Sequence, residues 1–153
     1  RRGVKQNGAR LFAVAARSTD FLRVGIDAER LDREQLLRVR ERYLSAPELT
    51  LVDAESLEAN AIAWTAKEAL YKAALTPGLD FRTNIIIDKL PALHQNPADH
   101  KSPVPIYGEA HINFPDGRQL PFTLYSYESE GCCITIAYSP KCAKFGRNAN
   151  ADN

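Results

Sequence analysis

The chain has 153 residues, of which 44% are hydrophobic and 25% are charged. This composition is typical of one globular domain or two small ones, and it excludes a disordered or low-complexity chain. Lys and Arg number 20 against 19 Asp and Glu, so the net charge of +1 lacks the basic excess of nucleic-acid binders. We expect no nucleic-acid partner and, without a run of about 18 apolar residues, no membrane span.

The chain does not begin with Met and contains none, which we interpret as an internal start that follows a missing upstream segment. We do not expect the segment Arg1–Lys5 to begin a signal peptide, because it contains no apolar h-region. The cysteines are Cys132, Cys133 and Cys142, an odd number with two adjacent. We therefore expect reduced thiols packed in a strand and a cytoplasmic, reducing location.

The first third of the chain predicts two strands and a helix. Leu11–Ala16 is apolar, residues 22–29 alternate with period two, and a turn at residues 18–20 would join them as a hairpin. Asp32 is a candidate helix N-cap, because Gln35 completes a capping box. Pro47 either stops this helix or begins another in its first turn. The apolar positions of the helix are Leu36, Leu37, Val39, Tyr43 and Leu44.

A further helix and four strands follow. Ser56 is a candidate N-cap for a helix that reaches about Leu75, before Pro77 and Gly78 end it. The apolar stripe of this helix is rich in alanine (Ala59, Ile62, Ala66, Ala69, Leu70 and Ala73), which indicates close approach to a sheet or another helix. The predicted strands are 84–90, 106–114, 120–127 and 132–138, with a surface loop at 94–105 and a turn at 115–118. This order predicts an α+β fold with helices packed on one antiparallel sheet.

Two carboxylates lie two residues apart on the predicted strand 22–29. The period of a strand places Asp27 and Glu29 on one face, while Ile26 and Ala28 point the other way, toward a core. Carboxylates this close repel unless a positive group lies between them, and Mg²⁺ is a frequent solution. The alternative is an ordinary exposed strand face.

The helix that begins after Ser56 carries a second group of charges. Glu68 and Lys72 are four residues apart, on the same side and away from the alanine stripe. Seen alone, they are typical of a surface salt bridge. Together with Asp27 and Glu29 they predict a pyrophosphate site, with three carboxylates for Mg²⁺ and with Lys67 and Lys72 to neutralise phosphate charge. No glycine-rich phosphate loop accompanies them.

Three segments carry a resemblance to a known family. Val24–Glu29 (V-G-I-D-A-E), Tyr43–Glu48 (Y-L-S-A-P-E) and Trp64–Lys72 (W-T-A-K-E-A-L-Y-K) resemble, in order and separation, the motifs of the 4'-phosphopantetheinyl transferases. The resemblance runs from about Leu11 to Tyr138, and Trp64–Lys72 is its most specific part. It implies the α+β lobe of that family.

The resemblance also implies a reaction, that of a holo-acyl-carrier-protein synthase. Phosphopantetheine would move from coenzyme A to a serine of an acyl- or peptidyl-carrier protein, with Mg²⁺ as cofactor and 3',5'-ADP as product. Asp27, Glu29 and Glu68 match the family's metal ligands. Glu68 is also a candidate base for the serine, directly or through a metal-bound water. The carrier could serve fatty-acid, polyketide, peptide-synthetase or lysine pathways.

Three further residues match the family pattern. Lys72 matches the lysine that contacts the pyrophosphate of coenzyme A, and Lys67 is a second, weaker candidate for this contact. Glu48 matches the glutamate of the second motif, with an orienting or structural role.

The helix after Asp32 is the candidate docking surface for the carrier. Its basic and apolar side chains would suit an acidic helical partner, and the alternative is a solvated face with a buried leucine stripe. The candidate docking residues are Arg38, Leu36, Leu37 and Val39, with Arg33, Arg40 and Arg42 beside them.

The length of chain before Gly25 suggests the larger, two-lobed surfactin-type subgroup. We expect residues 1–23 to end an N-terminal lobe, 24–140 to form the transferase domain and 141–153 to form a polar tail. His94, His100 and His111 match no family position. Three alternatives remain open: a non-catalytic relative that binds coenzyme A or a carrier, an inactive fragment of the transferase, and an unrelated α+β domain with surface charges.

Overall fold

A computed structural model describes residues 21–140 of the chain. Its strands are β1 (Phe21–Arg30), β2 (Ile85–Lys89), β3 (Leu93–His94), β4 (Gly108–Asn113), β5 (Gln119–Ser129) and β6 (Cys132–Pro140). Its helices are α1 (Gln35–Val39), α2 (Ala46–Leu51) and α3 (Leu57–Ala74), with a 3-10 turn at Arg40–Arg42. The predicted strand Leu11–Ala16, its hairpin, Cys142 and the predicted polar tail lie outside the described residues.

The strands form one sheet in the order β1-β6-β5-β4-β2, and all neighbours in this order are antiparallel. The short β3 pairs in parallel with β5, at Leu93–Ser126 and His94–Tyr127. The α+β class with helices on an antiparallel sheet is therefore confirmed. The sequence did not predict β3, because two residues beside a proline-rich loop carry no alternation to detect.

The long helix α3 packs against the sheet through its small side chains. Ser56 is its N-cap, with the side-chain oxygen accepting a hydrogen bond from Ala59 N at 3.0 Å, and Leu75 ends it with a φ of 51°. Ala66, Ala69, Leu70 and Ala73 of the predicted stripe are fully buried. The predicted N-cap, extent and close approach of this helix are confirmed.

The helix after Asp32 differs from the prediction. Asp32 does not cap it, because its carboxylate accepts hydrogen bonds from the Arg30 guanidinium at 2.6 and 2.8 Å. The N-cap position is Glu34, which makes no capping bond, and the α-helix ends at Val39. It ends early because Arg40 turns inward, where its guanidinium donates to the carbonyl oxygens of Leu49 and Val52 at the end of α2.

The last three residues of the second motif, Ala46–Glu48, begin the separate helix α2. Pro47 lies in the first turn of α2. Of the two predicted alternatives, Pro47 therefore begins a new helix and does not simply stop the preceding one. Ser45 and Glu48 form a capping box, in which Ser45 N donates to Glu48 Oε2 at 2.7 Å. The capping box places the Glu48 carboxyl group inside the domain.

Cys132 and Cys133 are free thiols on β6, as predicted. Cys133 is buried, and burial raises its pKa to about 11. None of the helices formed by residues 21–140 is long and apolar enough to cross a membrane.

Candidate functional site

Gly25 fixes the contact between β1 and α3. A Cβ atom at this glycine would lie 2.0 Å from Ala69 O and 2.8 Å from Ala73 N, so only glycine allows this approach. Because side chains alternate along a strand, Asp27 and Glu29 lie on the same face as Gly25, toward α3. The prediction that Ile26 and Ala28 face the core is wrong: they lie half-buried on the opposite face.

The close approach brings Lys72 of α3 onto Asp27. Lys72 Nζ donates to Asp27 Oδ1 at 2.6 Å and to the carbonyl oxygen of Ile26 at 3.1 Å. The side chain of Lys72 is 51% exposed and that of Asp27 only 16%. The sequence paired Lys72 with Glu68 as a possible surface salt bridge, but its ion pair in the structure crosses from the helix to the strand.

Glu29, the second carboxylate of β1, has its own cationic partner. The guanidinium of Arg33 forms an ion pair with Glu29 Oε2, and Glu29 Oε1 accepts a hydrogen bond from Arg30 N at 2.9 Å. Sequence reasoning missed the pairing of Arg33 with Glu29. This pairing depends on the path of the turn between β1 and α1, and the short sequence from Glu29 to Arg33 does not determine that path.

Glu68 completes the acidic group. Burial raises the pKa of its carboxyl group, the negative charges of Asp27 and Glu29 raise it further, and Lys72 lowers it. Burial also raises the pKa of Asp27, against the opposing effect of Lys72. The three predicted carboxylates therefore lie close enough to interact electrostatically at the junction of β1 and α3. Glu68 has no side-chain hydrogen-bond partner among the described residues.

The donor chemistry of this group suits a hard divalent cation, because carboxylate oxygens are the ligands that Mg²⁺ takes in proteins. In residues 21–140, however, no three Asp, Glu, His or Cys side chains are arranged so that they could hold a metal ion together. The basic side chains of Lys72 and Arg33 take up carboxylate oxygens of Asp27 and Glu29 instead.

Lys67 and Glu48 form a separate, buried ion pair. Both side chains are at most 1% exposed, and Lys67 Nζ donates to Glu48 Oε1 at 2.6 Å. Lys67 also donates to Phe81 O and Ile85 O, and Glu48 Oε1 accepts from Ile87 N at 2.7 Å. Burial lowers the pKa of Lys67, and Glu48 opposes this effect. The pair joins α2, α3 and β2, so Lys67 faces the core rather than a phosphate.

The predicted docking residues divide between core and surface. Leu36 is 2% exposed and packs in the core, while Leu37 and Val39 are half-buried. Arg38 is exposed and pairs with Glu34 at 3.4 Å. Of the other three arginines, Arg33 and Arg42 are exposed and Arg40 is buried.

A groove of about 360 Å³ separates α1 from α3. Its apolar walls include an aromatic cluster, with ring centroids 5.1 Å apart for Tyr43 and Trp64 and 6.0 Å apart for Trp64 and Phe81. The groove and the acidic group share one residue, because Arg33 lines the groove and pairs with Glu29. Trp64, on the other wall, lies one turn before Glu68 in α3. It is lined by Arg33, Gln35, Leu36, Val39, Arg42, Tyr43, Trp64 and Phe81.

Comparison with known proteins agrees with this geometry. No curated protein matches the chain significantly. The family model of the 4'-phosphopantetheinyl transferase superfamily matches residues 23–118, which include most of β1, all three helices and both lysine–carboxylate pairs. The chain therefore belongs to the 4'-phosphopantetheinyl transferase superfamily.

Proposed function

We propose that this protein transfers 4'-phosphopantetheine from coenzyme A to a serine of an acyl- or peptidyl-carrier protein, with Mg²⁺ as cofactor and 3',5'-ADP as product. The observation that supports this function best is the group formed by Asp27, Glu29, Glu68 and Lys72. It lies where Gly25 brings β1 against α3, within the region that matches the family.

Two residues have the chemistry that this transfer requires. Glu68 lies beside Asp27 and Lys72 and makes no side-chain hydrogen bond among the described residues, so its carboxylate is able to accept the proton of the serine hydroxyl. The half-exposed ammonium of Lys72 is able to turn from Asp27 toward a pyrophosphate. Bound to the three carboxylates, Mg²⁺ would supply charge stabilisation at the phosphate oxygens.

The reaction is an in-line displacement at the β-phosphorus of coenzyme A. The serine oxygen bonds to this phosphorus while its proton passes to Glu68. The bond from the phosphorus to the oxygen that bridges the two phosphates breaks, and 3',5'-ADP leaves with the electron pair. Lys72 offsets the negative charge that develops on this leaving group.

The carrier would dock beside the groove between α1 and α3. Arg33, Arg38 and Arg42 present positive charge there, and carrier proteins are acidic around their serine. We retain Arg38, Leu37 and Val39 as docking residues. We do not retain Leu36 as a docking residue, because it packs in the core. For the same reason Lys67 is not retained as a contact of coenzyme A.

The surfactin-type subgroup, the division of the chain at residues 23 and 140 and a cytoplasmic location are parts of this proposal. The subgroup rests on the resemblance of the G-I-D-A-E segment to the strand that opens the second half of the surfactin-type enzymes. The location rests on the free thiols of Cys132 and Cys133.

The test is a transfer assay with the full-length protein. Apo carrier protein, coenzyme A and Mg²⁺ are incubated with it, and mass spectrometry measures the carrier. We expect a mass gain of one phosphopantetheine that is lost with a metal chelator. Absence of this gain across fatty-acid, polyketide and peptide carriers rejects the proposed function, and binding of coenzyme A without transfer favours a non-catalytic relative.

A matched pair of variants on α3 tests the role of Glu68. Glu68→Gln removes the proposed base and should abolish transfer. Glu58→Gln removes the same charge from an exposed position in the first turn of the helix and should retain transfer. Full activity of Glu68→Gln would refute its role.

A further inference from the structure

Both carboxylates of β1 are paired with cations of this chain. Lys72 Nζ lies 2.6 Å from Asp27 Oδ1, and the Arg33 guanidinium pairs with Glu29 Oε2. The cations are the more exposed partners, at 51% for Lys72 and 40% for Arg33, while each carboxylate is 16% exposed. Each basic side chain is therefore able to swing into solvent while its carboxylate stays in place.

The two ion pairs affect how a metal ion enters. A carboxylate oxygen that accepts a hydrogen bond from an ammonium at 2.6 Å is not open to a second cation. In the part of the chain that the structure describes, no three such side chains are already arranged to hold a metal ion, and Asp27, Glu29 and Glu68 are no exception. A divalent cation that takes Asp27 Oδ1 as a ligand therefore displaces Lys72.

We propose that Lys72, assisted by Arg33, is an exchangeable counter-ion that occupies the carboxylates of Asp27 and Glu29 until a divalent cation replaces it. This inference rests on the proposed function and concerns the regulation of the same site. The released ammonium of Lys72 is then available to a pyrophosphate. The lysine thus couples the binding of the cation to the binding of the phosphate.

The energies involved make such an exchange feasible. A half-exposed ion pair contributes little to stability, so a divalent cation displaces it easily. Removal of Lys72 by a phosphate alone would leave Asp27 unpaired beside Glu68, and the mutual repulsion of these carboxylates opposes it. Each ligand therefore binds weakly alone, and by thermodynamic linkage each strengthens the other by the same factor.

The direct test measures metal affinity without coenzyme A. Mn²⁺ serves as the probe, and the amplitude of its free electron paramagnetic resonance signal is followed during titration of the full chain. We expect Lys72→Gln to bind Mn²⁺ about fivefold more tightly than the wild type, or more. Lys89→Gln removes the same charge at the opposite edge of the sheet and should leave the affinity within about twofold. Unchanged or weaker binding by Lys72→Gln overturns the inference.

A double variant separates displacement from simple repulsion between Lys72 and the cation. If Lys72 competes for the carboxylate, the gain from Lys72→Gln should shrink to about twofold or less when Asp27→Asn is also present. An equal gain in both backgrounds overturns the exchange. Circular dichroism confirms that each variant is folded.

Calorimetry tests the coupling. Mg²⁺ should raise the affinity for coenzyme A by a larger factor in the wild type than in Lys72→Gln, and equal factors contradict the coupling. The transfer assay on the wild type, run in parallel, distinguishes the two proposals. If the wild type transfers phosphopantetheine but Lys72→Gln binds Mn²⁺ with unaltered affinity, only the counter-ion role is rejected. If the wild type neither transfers phosphopantetheine nor binds the metal, the proposed function is rejected.

Discussion

Two lysines of α3, Lys67 and Lys72, form ion pairs of the same length in opposite surroundings. The nitrogen–oxygen distance is 2.6 Å both in Lys67–Glu48 and in Lys72–Asp27. The first pair is at most 1% exposed and binds three backbone groups, while Lys72 is 51% exposed. Burial therefore separates a lysine that stabilises the fold from one that is free to change partners, although both belong to one sequence motif.

The largest effect should follow from breaking the buried pair. Lys67→Met leaves the carboxylate of Glu48 buried without its counter-ion, which should cost about 3–5 kcal/mol of stability. The free energy of unfolding in urea measures this loss. Lys72→Met is the matched control, and it should change stability by less than about 1 kcal/mol. Equal losses in the two variants would show that burial does not distinguish the lysines.

Loss of the exposed pair should have little effect on stability but a large effect on the rate of transfer. Lys72→Gln removes the cation that we place at the pyrophosphate, so kcat should fall about 10²- to 10³-fold while the chain stays folded. Steady-state transfer to a carrier measures it, with Lys89→Gln as the control of equal charge. A kcat within about twofold of the wild type contradicts the role of Lys72.

Gly25→Ala should lower both the stability and the rate of transfer, because this glycine sets the distance between β1 and α3. The added Cβ would meet Ala69 O at 2.0 Å and push the helix away, at a cost of about 1–3 kcal/mol. The shift would also separate Lys72 from Asp27 and lower transfer. Urea unfolding and the transfer assay measure the two effects. Ala28→Val adds bulk on the opposite face of β1 and should leave transfer intact.

The sequence predicted what short-range patterns determine. Ser56 at the start of α3, its alanine stripe and the strands after Asn84 follow from capping and periodicity, and the structure confirms them. Motif spacing also predicted the shared acidic group. It did not predict that the side chain of Lys67 is buried. The motif does not distinguish Lys67 from Lys72, and the difference arises only from the packing of α2 and β2 around Lys67.

The start of α1 shows the same limit. Asp32 and Gln35 fit a capping box by spacing, but the guanidinium of Arg30 competes for the Asp32 carboxylate and binds it with two hydrogen bonds. Such competition between side chains depends on the direction of the chain where β1 ends. Spacing along the sequence contains no information about that direction.

The docking surface should show a smaller effect. Arg38 is exposed on α1, so Arg38→Glu reverses a charge at the rim of the proposed interface without disturbing the core. We expect the KM for the carrier to rise about threefold to tenfold, with kcat unchanged. Lys101→Glu makes the same charge change in an exposed loop and serves as the control. A fall in kcat without a change in KM would contradict a docking role.

The smallest expected effect is a gain in stability at the acidic group. Burial and the neighbouring carboxylates raise the pKa of Glu68 above its ordinary value of 4.5, so the folded chain binds this proton more tightly than the unfolded chain. The contribution of Glu68 to stability is therefore present at acid pH and is lost as the pH rises through the raised pKa.

Glu68→Gln should accordingly increase the free energy of unfolding at pH 7 in metal-free buffer, and this difference should vanish below about pH 4.5. Urea unfolding at several pH values measures it. Glu58→Gln should do the opposite at pH 7 and lower stability slightly, because an acidic residue in the first turn of α3 is favourable to the helix dipole. If Glu68→Gln lowers the free energy of unfolding at pH 7 or leaves it unchanged, Glu68 is an ordinary surface glutamate. Opposite shifts would show that the site keeps a carboxylate at the expense of stability, in contrast to the Lys67–Glu48 pair, in which each buried charge compensates the other.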